Sequence, residues 1–393
     1  MPNRYKVLIL NQIAVSGLER LPRERYEVGT EIANPDAILL RSADMRVREI
    51  PCRLKAVGRA GVGVNNIPVE TLSARGVPVF NAPGANANAV KELVLAGLFL
   101  CARDVCNAWR FAVELSERTA DDAQLAVETE AGKKSFVGFE LPGRTLGVIG
   151  LGAIGVRVAN AARALGMQVI GYDPAMTVTR AWQLSSEVAQ AQSIDELLRK
   201  SHIVTVHVPY SEHTRDLINA ERIRALGSGA CLLNFSRKGI VNQSAVLEAL
   251  SEGRLHRYVS DFPSRNLVGH PGAIVLPHIG ASTREAEENC ATMAAEAVRA
   301  FLEEGSVTNS VNFPDASMPR NGGYRVAVVN RNVPNMLGQI STTLAEYDIN
   351  ILDMLNRSRG ELAYTLLDAE QAVGEPVLSA LRAIEGVLSV RSL

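Results

Sequence analysis

Residues 145–174 read TLGVIGLGAIGVRVANAARALGMQVIGYDP. The segment opens with a short apolar run rich in β-branched residues, which predicts a buried parallel strand. A glycine-rich turn follows, then a helical pattern with small residues, and then a second strand-like run, MQVIGYD, that ends at Asp173. These patterns together predict a complete strand–turn–helix–strand unit.

The glycines of the turn, Gly150, Gly152 and Gly155, have the spacing GxGxxG. In such a turn the first glycine makes the tight bend, the second lets the backbone approach a pyrophosphate, and the third lets the helix pack closely on the strand. The helix N-terminus supplies free N–H groups for phosphate. A carboxylate at Asp173 would accept hydrogen bonds from a ribose diol and repel a 2′-phosphate. The segment therefore predicts a site for NAD rather than NADP.

The composition excludes several other classes of protein. The chain has 393 residues, of which 47% are hydrophobic and 21% are charged, and its formal net charge is −1. That length suggests about two or three domains, and the charge balance argues against a nucleic-acid partner. No apolar run is long enough for a membrane span, and the N-terminus passes directly into a strand-like run, so we expect a cytoplasmic protein. Five scattered cysteines predict reduced core thiols and no metal site; they are Cys52, Cys101, Cys106, Cys231 and Cys290.

Strand-like and helical runs alternate on both sides of the glycine-rich turn, which predicts an α/β protein with parallel sheets and helices on both faces. We expect two doubly wound parallel-sheet domains, a Rossmann-like NAD-binding domain (99–284) inserted in a flavodoxin-like substrate-binding domain (1–98 and 285–310), with the binding cleft between them. Residues 306–323 lack periodicity and predict a linker. A C-terminal ferredoxin-like βαββαβ domain is expected over 322–393.

A series of further motifs carries a family resemblance. In chain order they are LLRSAD, GRAGVGVNNI, FNAPGANANAVKELVLAGLFL, GLGAIG with YDP, HVPYSEHT, NFSRKGIVN, SDFP and LPHIGAST. Their order resembles that of the D-2-hydroxyacid dehydrogenases over nearly the whole chain. With the C-terminal module, the chain is similar to the phosphoglycerate dehydrogenases that carry a regulatory ACT domain. The resemblance implies NAD-dependent oxidation of D-3-phosphoglycerate to 3-phosphohydroxypyruvate, the first step of L-serine biosynthesis.

The resemblance also implies catalytic roles. Arg237 in NFSRKG would bind the substrate carboxylate or 2-oxo group, for which a guanidinium fork is suited. His278 in PHIGAST would be the general acid/base, because imidazole titrates near neutral pH. Relatives usually carry a glutamate five residues after the position of Asp261, where it pairs with the histidine. Here that position is Asn266, and an amide can orient the ring without stabilising its charge.

Binding residues follow from the same resemblance. Arg41 and Ser42 would hold the substrate phosphate, the backbone of Gly61–Gly63 would hold its carboxylate, and Asp261 would hold the nicotinamide carboxamide. Further cofactor contacts are expected from Val62, Ala153, Ile154, His207, Val208, Pro209, Phe235, Ser236, Gly280 and Ala281.

In the C-terminal domain, Asn330, Asn332 and Asn350 match positions that bind L-serine in relatives; the alternative is a dimerisation domain that binds nothing. The family expectation for assembly is a homodimer or homotetramer.

Two rival functions stay open. One is another D-2-hydroxyacid dehydrogenase, such as a hydroxypyruvate or 2-oxoglutarate reductase. The other is an NADH-sensing corepressor-like protein with little turnover.

Overall fold

The computed structural model describes residues 4–393, which form two compact units. The first unit holds the chain up to Asn86 together with Thr283–Leu393, and the second is Ala87–Ser282. None of the helices in the described residues has the length and apolar character that a membrane span needs.

The first unit begins with a five-stranded parallel sheet of order β2-β1-β3-β4-β5. This is the flavodoxin-like order. Both faces of the sheet are covered, since Val7 and Leu39 join one buried cluster and Ile38 and Val57 join another. The strands are β1 (Tyr5–Ile9), β2 (Tyr26–Gly29), β3 (Ala37–Leu40), β4 (Ala56–Arg59) and β5 (Val79–Phe80), with helices α1 (Val15–Leu18) and α2 (Val69–Ala74).

The second unit is built on a seven-stranded parallel sheet of order β12-β11-β10-β9-β6-β7-β8, the Rossmann arrangement extended by one strand. Its strands are β6 (Thr145–Ile149), β7 (Gln168–Tyr172), β8 (Ala189–Gln190), β9 (Ile203–Val206), β10 (Ala230–Asn234), β11 (Leu255–Ser260) and β12 (Ala273–Val275). Its helices are α3 (Ala87–Arg103), α4 (Val105–Arg118), α5 (Asp122–Gly132), α6 (Ala153–Ala164), α7 (Val178–Ala181), α8 (Ile194–Lys200), α9 (Ala220–Ala225) and α10 (Gln243–Ser251), with a 3₁₀ turn at Lys133–Phe136. Every residue of β9 and β10 is buried, as expected for central parallel strands.

The long helix α11 (Arg284–Glu304) returns the chain to the first unit. The side chain of Thr283 caps its start by accepting from the N–H of Ala286, and Gly305 ends it at φ 73°. A four-stranded antiparallel sheet follows, of order β14-β15-β13-β16, which confirms the βαββαβ module. Its elements are β13 (Tyr324–Arg331), α12 (Met336–Glu346), β14 (Ile351–Arg359), β15 (Leu362–Ala369), α13 (Glu375–Ala383) and β16 (Val387–Ser392).

The segment 306–323 is packed, in contrast to the free linker expected from its composition. Phe313 is fully buried in a cluster that also contains Phe301 of α11 and Tyr364 of β15. Its polar groups have partners as well: Asn312 accepts from the N–H of Val79 at 2.8 Å. The C-terminal module therefore shares a core with the first sheet.

Candidate active site

The glycine-rich turn has the conformation that the three glycines predict. Gly150 has φ 90°, and a Cβ there would meet the carbonyl oxygen of His207 at 2.7 Å. A Cβ on Gly155 would lie 1.9 Å from the carbonyl oxygen of Gly150, so the helix can approach the strand only with glycine here. Apart from its neighbours in the chain, a Cβ on Gly152 would meet no atom of residues 4–393 within 4 Å. The backbone at Gly152 therefore borders open space, as required of a surface that a pyrophosphate approaches.

Helix α6, which starts at this turn, has no side-chain cap. In the same unit, α8, α9 and α10 are each capped by a side-chain oxygen, from Ser193, Asn219 and Asn242 respectively. The predicted cofactor residues Ala153 and Ile154 are the first two residues of α6. The uncapped N–H groups of this turn fit the phosphates of a dinucleotide.

Asp173, at the end of β7, is held against the glycine-rich turn. Its Oδ2 accepts from the N–H of Leu151 at 2.8 Å, and its Oδ1 accepts from the N–H of Ala175 at 2.9 Å. Each carboxylate oxygen keeps a second lone pair, so the group is positioned and still able to accept hydrogen bonds from ribose hydroxyls.

His207 follows β9 and lies beside Gly150. Its Nε2 is 3.0 Å from the hydroxyl of Thr205, and its buried Nδ1 has no partner in the part of the chain that the structure describes. Burial lowers the pKa of His207 to about 3, so the ring is neutral near pH 7. The orphaned ring nitrogen is a candidate contact for the cofactor, which is the role expected of His207 from the sequence.

The turn after β10 is fixed by Asn234, a buried residue that sequence analysis did not single out. Its Oδ1 accepts from the N–H of Ser236, and its Nδ2 donates to the carbonyl of Arg237 at 3.0 Å. The hydroxyl of Ser236 also donates to the carbonyl of Val208. An amide at the end of the apolar run CLLN was the available signal, because a buried polar side chain needs a structural or functional reason.

Arg237 emerges from this turn with its Nη1 donating to the carbonyl of Ser236 at 2.7 Å. The guanidinium is partly buried, and desolvation lowers the pKa of Arg237 from its ordinary value. Within residues 4–393, no carboxylate lies within ion-pair distance of it. A partly desolvated cation without a counter-ion is suited to an anionic ligand.

Asp261 supports the turn that carries His278. The carboxylate is almost fully buried, and its two oxygens accept from the N–H groups of Ile279 at 2.8 Å and Gly280 at 2.7 Å. His278 itself is exposed and has φ 59°, a left-handed conformation uncommon for a residue with a side chain. Asp261 thus stabilises a constrained turn that presents the imidazole.

Phe262 is the aromatic neighbour of the His278 ring, with ring centroids 5.1 Å apart. Asn266, expected beside this histidine, is exposed on the loop after Phe262. Its contact with His278 therefore stays a prediction. Phe235 is buried, and its ring packs against Gly97, where an added Cβ would lie 3.0 Å from the ring.

The predicted phosphate-binding residues Arg41 and Ser42 follow β3 in the first unit. Asn11, a residue that sequence analysis missed, accepts from the N–H of Arg41 at 2.9 Å. The carbonyl of Arg41 accepts from the Nε of Arg59 and from Asn66. The backbone at Arg41 is therefore held from three sides, while its side chain forms an ion pair with Glu287 at 2.8 Å.

The Gly61–Gly63 loop follows β4. Gly61 has φ 156°, and a Cβ there would overlap the guanidinium of Arg59 at 2.1 Å. The side chain of Asn81 donates to the carbonyl of Val62 at 2.6 Å and holds the loop open. The N–H of Gly61 donates to the carbonyl of Arg59 at 2.8 Å, so a carboxylate bound by this loop would use the N–H groups of Val62 and Gly63.

The three predicted effector residues do not come together within one chain. Asn330 is buried and pairs across the sheet with Ala363, whereas Asn350 precedes Ile351, which pairs with Ala369. Six residues of β15 separate these points, which is roughly 20 Å. Asn335, directly before α12, has φ 66°, a left-handed conformation that asparagine tolerates better than most residues.

The region 109–280 matches the family model described as D-isomer specific 2-hydroxyacid dehydrogenase, NAD binding domain. The chain belongs to this family of NAD-dependent dehydrogenases, which confirms the class expected from the sequence.

Among its relatives, the chain is similar to the D-3-phosphoglycerate dehydrogenase of Haemophilus influenzae, with 33% identity over 354 residues that cover 87% of this chain and 82% of that protein. It is also 33% identical, over 348 residues, to the D-3-phosphoglycerate dehydrogenase of Methanocaldococcus jannaschii. That alignment covers 86% of this chain but only 62% of the longer relative. A solved structure of similar fold is the NAD⁺-bound 3-phosphoglycerate dehydrogenase of Entamoeba histolytica, with a TM-score of 0.61, 23% identity, and coverage of 79% of this chain and 99% of that one.

Proposed function

We propose that this protein is an NAD-dependent D-3-phosphoglycerate dehydrogenase, which oxidises the 2-hydroxyl of D-3-phosphoglycerate to the ketone in the first step of L-serine biosynthesis. The observation that carries the proposal is Arg237, a partly desolvated guanidinium that has no carboxylate partner among residues 4–393 and follows a central parallel strand. Ligands of open α/β sheets bind at this end of the strands. The named activity of the bacterial and archaeal relatives supports the substrate.

In the proposed reaction, different residues bind the cofactor, bind the substrate carboxylate and accept the proton. NAD, when bound, would supply the acceptor for the hydride of C2 of the substrate. Gly152, the first turn of α6 and Asp173 hold the dinucleotide. Arg237 binds the carboxylate and polarises the adjacent oxygen, which favours the developing carbonyl. His278 accepts the proton of the 2-hydroxyl, so that one proton and one hydride leave the alcohol together.

The test is NADH formation from D-3-phosphoglycerate, followed by absorbance with the keto product trapped by hydrazine. We expect Arg237→Ala to lower kcat/KM by about 10²- to 10⁴-fold, because it removes a charged contact made to the reacting group. The matched control is Arg199→Ala on the exposed surface of α8, which should leave kcat/KM unchanged.

Substrate choice separates the rival functions. Arg41→Ala should raise KM for D-3-phosphoglycerate by the equivalent of about 1.5–3 kcal/mol for a charged hydrogen bond, and should leave unphosphorylated acids little affected. Turnover of hydroxypyruvate or 2-oxoglutarate without turnover of D-3-phosphoglycerate would instead favour another dehydrogenase of the family. NADH binding without turnover of any of these acids would favour a corepressor-like sensor.

We further propose that the protein is a homo-oligomer, in which a second copy covers the apolar surface of the helical segment 99–137. Phe99, Trp109, Val127 and Val137 are 46%, 69%, 70% and 83% exposed, and several large apolar side chains left exposed in one segment are typical of an interaction surface. Sedimentation velocity tests this: Trp109→Lys should shift the protein toward the monomer. Trp182→Lys, at a tryptophan that is 86% exposed elsewhere in the same unit, should not.

We also propose L-serine as an effector of the C-terminal module. Asn332 lines a cavity of about 700 Å³ together with Arg331, Arg359 and Glu70, and this set offers cations for a carboxylate and an anion for an ammonium group. Calorimetry on the full chain should show serine binding that Asn332→Ala weakens. Asn350→Ala should weaken it only if a second copy completes the site. Absence of binding at millimolar serine would reject the proposal.

A further inference from the structure

Glu287 forms an ion pair with Arg41, the cation that we propose binds the substrate phosphate. Its Oε1 lies 2.8 Å from Nη1 of Arg41, and the two side chains are 42% and 37% exposed. Both residues line a cavity of about 600 Å³ in the first unit, which is also bordered by Asn11, Ser42 and Arg284. The Glu287 carboxylate therefore lies within the proposed phosphate site.

The positions of both partners are set by the fold. The backbone of Arg41 is fixed by Asn11, Arg59 and Asn66, as described above. Glu287 lies in the first turn of α11, next to Ala286, whose burial fixes the start of this helix in the first unit. Because both backbone positions are fixed, the ion pair can break only by movement of the two side chains.

A phosphate that binds Arg41 meets this carboxylate. A guanidinium offers more than one edge, but a dianion beside an ionised carboxylate is repelled, and an anion that displaces the carboxylate must first break the ion pair. Either route weakens phosphate binding. An unphosphorylated substrate brings no dianion to Arg41, so Glu287 does not weaken its binding.

We propose that Glu287 is a specificity-determining residue, which limits the preference of the site for phosphorylated over unphosphorylated 2-hydroxy acids by competing for Arg41. This inference rests on the proposed function, since it takes Arg41 as the phosphate-binding residue. Specificity is a difference between two affinities, so an internal competitor that acts on one substrate class alone changes it.

The experiment compares Glu287→Gln with the wild-type full chain at fixed ionic strength. We expect KM for D-3-phosphoglycerate to fall about three- to tenfold with kcat unchanged, because the carboxylate acts on ground-state binding of a partly exposed charge. KM for hydroxypyruvate, in the reverse direction, should not change. The matched control is Glu285→Gln, which removes the same charge from the same first turn of α11 outside the cavity lining and should leave both KM values unchanged.

Three results would overturn the inference: an unchanged KM for D-3-phosphoglycerate, a raised one, or equal changes for both substrates. A calorimetric titration with inorganic phosphate separates this outcome from failure of the proposed function, because it needs no turnover. Tighter phosphate binding by Glu287→Gln in a protein that does not oxidise D-3-phosphoglycerate would support the competition and reject the activity. Equal phosphate affinity in both proteins would reject the competition.

Discussion

Gly152 and Gly155 provide a paired test of the nucleotide site, because the same substitution to alanine should affect binding in one case and folding in the other. In the part of the chain that the structure describes, a Cβ on Gly152 meets nothing within 4 Å beyond its chain neighbours, and its φ of −72° is open to alanine. A Cβ on Gly155 would lie 1.9 Å from the carbonyl oxygen of Gly150. The first change leaves the protein intact and fills the space of the ligand, whereas the second forces the helix away from the strand.

The magnitudes follow from these contacts. For Gly152→Ala, the gain of about 0.4–1 kcal/mol from a less flexible unfolded chain offsets the cost of about 0.5–1 kcal/mol of losing glycine at a helix N-cap. Stability should therefore change by less than about 1 kcal/mol. For Gly155→Ala, the contact is with backbone that cannot turn aside, so we expect a loss of about 2–3 kcal/mol. That corresponds to a Tm lower by roughly 4–12 °C for a unit of this size.

The assay is thermal unfolding without ligand, together with NADH titration by fluorescence. Gly152→Ala should melt like the wild type and bind NADH about 10- to 100-fold more weakly, equivalent to about 1.4–2.8 kcal/mol. Gly155→Ala should melt early. The assignment of the glycine-rich turn to the pyrophosphate is wrong if Gly152→Ala binds NADH normally, and the packing argument is wrong if both variants melt alike.

Three further outcomes follow from the site. Asp173→Ala should shrink the ratio of kcat/KM for NAD over NADP, and equal use of both cofactors by the wild type would contradict the role of this carboxylate. Asn266→Glu places an anion near the expected position of His278, which favours imidazolium; the acid limb of the pH–rate profile for oxidation and the basic limb for reduction should both move upward, and superimposable profiles would show that residue 266 does not contact the ring. The pKa of His207 is about 3 in the folded protein and about 6.5 in unfolded chains. As pH falls below about 6.5, the unfolded state therefore protonates this ring while the folded state does not, and stability is lost between about pH 6.5 and pH 3. His207→Gln should flatten this decline in Tm, while His213→Gln, at an exposed histidine, should not.

The sequence by itself determined the elements that rest on local patterns. The spacing of Gly150, Gly152 and Gly155 after a β-branched run defines the nucleotide turn, because a tight bend, an open backbone and a close packing contact each require glycine. The alternation of strands and helices likewise predicted both parallel sheets and the βαββαβ module.

Elements without a local signature escaped prediction. Helices α4 and α5 bury little apart from Leu115 within one chain, and α5 lacks the apolar stripe that marks a packed helix. The short strands β2 and β8 are defined by pairing with neighbours and not by their own residues. Segment 306–323 shows no hydrophobic periodicity. It is nevertheless packed, because Phe313 is buried in the core and Asn312 accepts from the backbone N–H of Val79.

Only the tertiary structure decided which polar groups meet. Asn11 and Glu287 are distant from Arg41 in sequence, and no local pattern connects either of them to it. Asp261 was predicted to hold the cofactor, but its two oxygens also hold the backbone that presents His278. The physical reason is that a side chain's hydrogen bonds and ion pairs depend on distances of about 3 Å, and the packing of strands and helices from separate parts of the chain sets those distances.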